Sequence, residues 1–311
     1  MEELSFKSGF VALTGLANAG KSTLLNQFSG MHLAITSPKP QTTRQVIRAI
    51  IDDPGSQIIF LDTPGYHAPR NRLDQYMYRG ITSALTDADI LLLVTDASAA
   101  IRARSSSGLP RLEQELLKQL ARQNKPVILV LNKVDIAVKE ELLPIIARYH
   151  EQYPFAAIVP VSARTGDGIE VLLHEIRKHL AAGPRYYPVE TLTDQTERQI
   201  VAELVREQVL LLTHEEIPHG VAVEIESFTE TGSPDRKMVH IDAAIYCEKD
   251  SHKGILIGKQ GSMLKNIGSR ARQQIEELLG CPCYLELFVK VRDGWRNRQE
   301  ILRSLGLDTR S

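Results

Sequence analysis

Tryptophan occurs once in these 311 residues, cysteine three times, and aromatic side chains make up only 5% of the chain. Each scarcity excludes something. Cys247, Cys281 and Cys283 are too few for a disulfide framework. Cys281-Pro282-Cys283 has one residue between its sulfurs and no second pair, which is not zinc-finger spacing. Reduced thiols in a cytoplasmic protein are expected. No apolar run approaches the ~20 residues that span a bilayer. Met1-Glu2-Glu3-Leu4-Ser5 lacks a basic stretch followed by an apolar one, so no signal peptide is expected there. Neither sign of charge is in excess, with 37 Lys+Arg against 38 Asp+Glu. That balance hides an asymmetry. Lys249 to Ser311 carries 12 Lys+Arg and 7 Asp+Glu, a net of +5, which leaves −6 on the other 248 residues. A basic C-terminal segment on an acidic body suits an anionic partner at that end, or simply a solvated basic face. The length suffices for two domains, each with its own core.

What is present centres on Gly15-Leu16-Ala17-Asn18-Ala19-Gly20-Lys21-Ser22, between a strand-like run, Phe10–Leu13, and the start of a helix reaching about Phe28. The spacing is G-x-x-x-x-G-K-S. Glycines let backbone N–H groups turn inward around phosphates, Lys21 reaches the terminal phosphates, and Ser22 can ligate Mg²⁺. An ordinary strand-to-helix turn would share the glycines but not Lys-Ser in register.

Downstream, Ile35 to Arg44 is polar with two prolines and reads as an extended loop. Val46–Ile51 and Ile58–Leu61 flank Asp52-Asp53-Pro54-Gly55 and read as a hairpin, which puts one antiparallel strand into an otherwise parallel sheet. The second strand ends in Asp62-Thr63-Pro64-Gly65. Alone, D-x-x-G is a common turn; one hairpin after a phosphate loop, Asp62 suits a water-mediated Mg²⁺ contact and the Gly65 N–H suits a γ-phosphate. Ile90–Val94 reads as a strand, Arg102 to Gly108 as a polar loop, Arg111–Gln123 as a helix and Pro126–Leu131 as a strand. That strand leads into Asn132-Lys133-Val134-Asp135. Guanine alone among the bases offers adjacent N1–H and N2–H₂ donors to a carboxylate, so Asp135 selects it, while adenine would leave the carboxylate facing an acceptor. Asn132 braces the loops and the Lys133 stem lies along the base. A helix over Lys139–Tyr149, a strand over Ala157–Val161, Ser162-Ala163-Arg164 and a helix over Ile169–Leu180 finish the unit. Alternating strands and helices predict a doubly wound α/β sheet with ligands at the strands' C-terminal ends.

The ordered set of phosphate loop, Thr42-Thr43, Asp-x-x-Gly, Asn-Lys-x-Asp and Ser-Ala-Arg resembles a small GTPase domain. With Gln41-Thr42-Thr43-Arg44 and Asp62-Thr63-Pro64-Gly65 it resembles the bacterial Era/MnmE/Der branch. That resemblance implies nucleotide contacts from Gly15 through Thr23, from Asp62 through Tyr66, from Asn132 through Asp135 and from Ser162 through Arg164. It implies Mg²⁺ on Ser22, Thr43 and Asp62, an activating K⁺ on Asn18, and catalytic roles for Lys21, Thr43 and Gly65. Two positions depart from the branch. Leu16-Ala17 stands where Arg-Pro is usual, and Tyr66 where an aliphatic residue is usual and a Ras-type enzyme carries its water-orienting glutamine. A phenol does not orient water in that way, so intrinsic turnover is expected at or below roughly 10⁻⁴ s⁻¹.

Gly183-Pro184-Arg185-Tyr186-Tyr187-Pro188 reads as a linker. The expected organisation is residues 1–182, a linker over 183–195, and a second domain over 196–311. An amphipathic helix is predicted from Thr196 to Leu212, with Ile200, Leu204, Val205, Val209 and Leu212 as a core stripe. Strands are predicted at Val221–Ile225 and Met238–Tyr246, joined by Gly232–Asp235. Ile257-Gly258-Lys259-Gln260-Gly261 then leads into a helix over Ser262–Leu279, followed by a strand over Tyr284–Val291 and a last helix over Asn297–Leu305. A G-x-x-G turn between helices admits a nucleic-acid backbone because neither glycine interposes a side chain, and Lys259 adds positive charge. On I-G-K-x-G and the α-β-β-α-α-β order this half resembles a type II KH domain. Trp295 could stack on a base, but packing against the sheet is the expected role.

A GTPase domain followed by a KH domain is the architecture of the Era family. The likeness implies binding of the 3′ end of 16S ribosomal RNA and the 30S subunit, with a role in subunit assembly and rRNA maturation. It also implies a monomer in the cytoplasm, partly associated with the inner face of the plasma membrane. A membrane-bound GTPase or a non-catalytic RNA scaffold gated by GTP are the alternatives.

Overall fold

The computed structural model describes residues 6–103, 109–233 and 237–307. Met1–Ser5, most of the Arg102–Gly108 loop and part of the Gly232–Asp235 turn lie outside them. The chain divides into two compact units. The first comprises Met1–Ala34, Thr43–Pro69 and Met77–Asp194; the second comprises Ile35–Thr42, Arg70–Tyr76 and Gln195–Ser311.

In the first unit a six-stranded sheet runs in the order β2-β3-β1-β4-β5-β6. Its strands are β1 (Lys7–Thr14), β2 (Ile47–Asp53), β3 (Ser56–Asp62), β4 (Ile90–Asp96), β5 (Val127–Asn132) and β6 (Ala157–Pro160). Only β2 runs antiparallel, in the expected hairpin with β3, whose turn tightens to Pro54-Gly55. Successive residues of a strand point to opposite faces, and here both faces are covered. Val11 and Leu13 of β1, with Ile90, Leu92 and Val94 of β4, pack with Leu24, Leu25 and Phe28 of α1 (Lys21–Ser29) and Leu172 and Ile176 of α6 (Ile169–His179). Ala12, Leu91 and Leu93 pack on the other face with Ile81 and Leu85 of α2 (Arg72–Asp87), Leu116 and Leu120 of α4 (Arg111–Ala121), and Ile145 and Tyr149 of α5 (Leu142–Gln152). That two-sided burial is why the strands read as unbroken apolar runs.

Helix α2 and a short α3 (Ala97–Arg102) add to the elements expected from the sequence. For α2 the signal was present, since Leu73, Met77, Ile81 and Leu85 recur every fourth residue and all are buried. The helix predicted over Lys139–Tyr149 divides into a 3₁₀ turn, Lys139–Glu141, and α5.

In the second unit α7 (Glu197–Leu212) starts on a capping box, with Thr196 and Gln199 satisfying each other's backbone N–H. Strands β7 (Ala222–Thr231), β8 (Met238–Cys247) and β9 (Cys283–Val291) form a sheet in that order, β7 antiparallel and β9 parallel to β8. Helices α8 (Asp250–Ile257) and α9 (Ser262–Leu279) flank the G-x-x-G turn, and α10 (Gln299–Ser304) comes last, preceded by a 3₁₀ turn over Trp295–Asn297. The element order is that of a type II KH domain. Trp295 is fully buried and donates Nε1–H to the Gly220 carbonyl at 2.9 Å, which is packing and not base stacking.

Candidate functional site

The phosphate loop leaves β1 and enters α1, so the unpaired N–H groups and positive dipole end of that helix face the loop. Gly20 is obligatory. Its φ is 95°, and a Cβ there would lie 2.2 Å from Nδ2 of Asn132. Lys21 is buried and donates to the carbonyls of Gly15 and Leu16, each at 3.1 Å. Burial lowers its pKa to about 8, opposed by the Asp62 carboxylate.

Three oxygens from separate segments converge beside Lys21. Ser22 Oγ donates to Asp62 Oδ2 at 2.6 Å and lies 2.8 Å from Thr43 Oγ1; Thr43 Oγ1 is 3.4 Å from the same Asp62 oxygen. The other oxygen, Asp62 Oδ1, is buried with no hydrogen-bond partner. Burial pushes the Asp62 pKa up to about 6, with Lys21, Ser22 and Thr43 pulling it back. An all-oxygen set with an orphaned carboxylate oxygen, next to a phosphate cradle, fits a small hard cation such as Mg²⁺. Thr42 is engaged elsewhere: its hydroxyl is 2.7 Å from Ser37 Oγ and donates to the Lys39 carbonyl. Thr63, included among the nucleotide contacts on resemblance, turns its hydroxyl back onto the Leu13 carbonyl at 2.7 Å.

The residues expected at a base are brought together by β5 and the loop after β6. Asn132 braces it: Nδ2 donates to the Ala19 carbonyl at 2.9 Å, and Oδ1 accepts from the N–H of Lys133 at 2.8 Å and of Ala163 at 2.9 Å. Lys133, at φ 65°, directs Nζ to the Asn18 carbonyl at 2.7 Å and to Asp96 Oδ2 at 2.8 Å. Asp135 accepts from Ser162 Oγ at 2.8 Å and from Arg164 Nη2 at 2.5 Å. Tyr66 is buried and belongs to the apolar core on the α2 face.

Within the second unit, the Ile35–Thr42 segment is held by α7. The N–H of Thr36 donates to Glu207 Oε1 at 2.7 Å, and Arg206 donates Nη2 to the Thr42 carbonyl.

The G-x-x-G turn is tight and open at once. Gly258 has φ 72°, and a Cβ there would sit 2.7 Å from Cβ of Met263; Gly261 has φ 77° with open space around it. Lys259 and Gln260 are exposed, and Gln260 adopts φ 51°. Ile257, the last residue of α8, packs against the apolar core of this unit. Beside the turn, α9 and β9 enclose a groove of about 380 Å³ whose lining includes Leu264, Leu285, Leu287, Lys265 and Arg272. The lining also holds Glu286, so leucines, two cations and one carboxylate meet there; this suits a base packed on aliphatic side chains with its phosphate near Lys265 or Arg272.

Two sequence profiles match the chain, one described as a 50S ribosome-binding GTPase over residues 10–133 and one as a KH domain over residues 216–296. GTPase Era of Ruminiclostridium cellulolyticum is 45% identical over 98% of this chain and 99% of its own. GTPase Era of Geobacter metallireducens is 47% identical over the same shares. The chain belongs to the Era family of GTPases. Among solved structures, a point variant of Aquifex aeolicus Era bound to GDP·AlF₄⁻ superimposes with a TM-score of 0.91 at 39% identity, over 98% of this chain and 100% of that one. An Era in complex with MgGDPNP and nucleotides 1506–1542 of 16S ribosomal RNA matches equally well, at TM-score 0.91 and 39% identity over the same shares.

The Era motifs do not announce every residue that supports the site. Asp96, just past the predicted strand Ile90–Val94, is one: its Oδ1 caps α3 by accepting from the Ala99 N–H at 2.9 Å while Oδ2 holds Lys133. Arg206 and Glu207 lay outside the predicted stripe of α7 and are both buried. The available signal was weak: Arg206-Glu207 lies between the apolar pairs Leu204-Val205 and Val209-Leu210, in a helix that also carries Glu197, Arg198 and Glu203.

Proposed function

We propose that this Era-family GTPase is a slow GTP-hydrolysing switch that binds 16S rRNA through its KH domain and assists 30S subunit assembly and rRNA maturation. What supports the reading is that one chain carries both Asp135, placed where a carboxylate would select guanine, and an open glycine turn beside a groove lined by Lys265 and Arg272. The 50S description attaches to a profile confined to residues 10–133, which does not include the groove. The RNA held by the solved Era complex is 16S, and that complex matches nearly the whole chain.

In this reading the Gly15–Thr23 backbone and Lys21 cradle the phosphates. Ser22 and Thr43 would hold Mg²⁺ directly and Asp62 through water; the ion would supply charge neutralisation at the β- and γ-phosphates. Gly65 donates its N–H to the γ-phosphate, and Lys133 and Asp135 take the base, with Ser162, Ala163 and Arg164 around it. Hydrolysis is in-line attack of water, driven by positioning and charge more than by proton chemistry. Tyr66 supplies no water-orienting amide, which keeps the reaction slow. Asn18 is assigned an activating K⁺, so K⁺ should stimulate turnover over Na⁺ at equal ionic strength, and equal rates would remove the assignment. Residues 1–182 form the GTPase domain, 183–195 a linker and 196–311 the RNA-binding domain. The protein acts as a monomer in the cytoplasm, with peripheral contact at the inner face of the plasma membrane through basic residues. No helix among the described residues is long and apolar enough to cross that membrane.

Crosslinking and sequencing of bound RNA from wild type and a Gly258→Asp, Gly261→Asp double variant tests the reading. The 3′ end of 16S rRNA is expected from wild type and its loss from the variant. Retention of the same RNA by the variant would undo the KH assignment.

A further inference from the structure

The D-x-x-G segment closes onto the phosphate loop. The N–H of Tyr66 donates to the Gly15 carbonyl at 3.0 Å, and Leu16 and Tyr66 form an isolated parallel bridge. Gly65 approaches so near that a Cβ there would lie 2.8 Å from Cα of Ala17. With Thr43 against Ser22 and Asp62, both segments expected to meet a γ-phosphate touch the phosphate loop.

A single backbone hydrogen bond adds only modest net stability, because water replaces it when the loop opens. Here a side chain adds a second one. Gln119 of α4 donates its Nε2 to the Tyr66 hydroxyl at 3.0 Å and to the Tyr78 hydroxyl of α2 at 2.7 Å. The amide has two N–H donors and meets two phenols, so the geometry uses its full donor capacity. The rings lie 6.2 Å apart at 49°, and Tyr66 is only 7% exposed. An aliphatic side chain at 66 would fill the same apolar space but leave Gln119 only the Tyr78 hydroxyl, with nothing to fasten residue 66.

We propose that Tyr66 is a positioning residue for GTP recognition: Gln119 holds its phenol and thereby keeps the Gly65 and Tyr66 backbone closed over the phosphate loop. The role rests on reading Gly15–Ser22 as the GTP site. A loop held closed in advance meets a γ-phosphate without further ordering, whereas GDP gains nothing from it. Tyr66 therefore sets the preference for GTP over GDP and leaves the affinity for GDP unchanged.

The test measures equilibrium affinities of the full chain for GDP and for a β,γ-imido GTP analogue, with Mg²⁺, in wild type, Tyr66→Phe, Gln119→Met and the double variant. Each single variant should lose about three- to tenfold in analogue affinity, the range of one net hydrogen bond, with GDP affinity within twofold. The double variant should lose no more than either single one, since both remove the same contact. Gln119→Met leaves Tyr66 itself intact, and unchanged GDP affinity certifies the fold. An unchanged GTP-to-GDP ratio in both single variants, or additive losses in the double, overturns the proposal while leaving the site reading intact. Failure of wild type to bind either nucleotide overturns the site reading and the proposal with it.

Discussion

Arg164 lays its Nη2 on Oδ2 of Asp135 at 2.5 Å, one oxygen of the carboxylate proposed to take the N–H edge of guanine. Guanidinium and guanine present the same pair of adjacent N–H donors, so base and arginine compete for one carboxylate. Asp135 is 12% exposed and Arg164 72%, which makes the arginine the partner that swings away.

With the arginine in solvent, the pair is screened and contributes about 1 kcal/mol. Arg164→Ala should therefore raise the association rate of GDP by up to about fivefold with little change in dissociation. Stopped-flow binding of a fluorescent GDP checks this, and a slower association in the variant would show that Arg164 assists the base.

Asp135→Asn changes the donor pattern the pocket reads. The amide accepts from one N–H but presents a donor to the 2-amino group of guanine. GDP affinity should fall by about 10- to 100-fold, as expected when a charge-assisted bond is lost. Xanthosine diphosphate, with a carbonyl at that position, should gain. Competition between the two nucleotides in an equilibrium binding assay reads the switch directly.

Thr43 and Thr42 adjoin in sequence but differ in placement. Thr43 sits against Ser22 and Asp62, while Thr42 is tied to Ser37 and Lys39. Thr43→Ala should weaken binding of a GTP analogue by about tenfold relative to GDP and lower its Mg²⁺ dependence, whereas Thr42→Ala should leave both within twofold. Mg²⁺ titrations of nucleotide affinity separate the two.

Glu113 lies buried beneath the end of β4, its carboxylate accepting from Thr95 at 2.8 Å and Tyr149 at 2.9 Å. Burial raises its pKa, with both hydroxyls opposing. A carboxyl whose folded value is raised favours the fold when protonated, and that contribution is lost as pH rises from the unfolded value of about 4.3 through the folded one. Glu113→Gln keeps the acceptor oxygen without the charge. Its stability relative to wild type in urea should be near zero at pH 4 and positive by pH 8; a gap that shrinks as pH rises would contradict the assignment.

Motifs with fixed spacing carried most of the catalytic half into view. Gly15–Ser22, Asp62 and Asn132–Asp135 each follow an apolar run that had to be a buried strand, so local sequence located both the residue and the sheet edge presenting it. Supporting contacts were invisible for a physical reason. Asp96 reaches Lys133, and Gln119 reaches Tyr66, across 37 and 53 residues. No periodicity encodes such pairs. In the KH half the order of elements was legible, but the groove depends on how α9 rests on β9, which only packing decides. Helix α2 is legible in principle, since Leu73, Met77, Ile81 and Leu85 recur every fourth residue, but it has no motif to mark where it starts or ends.

The most direct measurement titrates RNA matching the 3′ end of 16S rRNA against the full chain loaded with a GTP analogue or with GDP, at fixed salt and Mg²⁺. A switch timed by GTP should bind about tenfold tighter in the triphosphate state, within the range usual for coupled sites. Equal affinities in the two states would contradict the central claim that GTP hydrolysis times the hold on RNA.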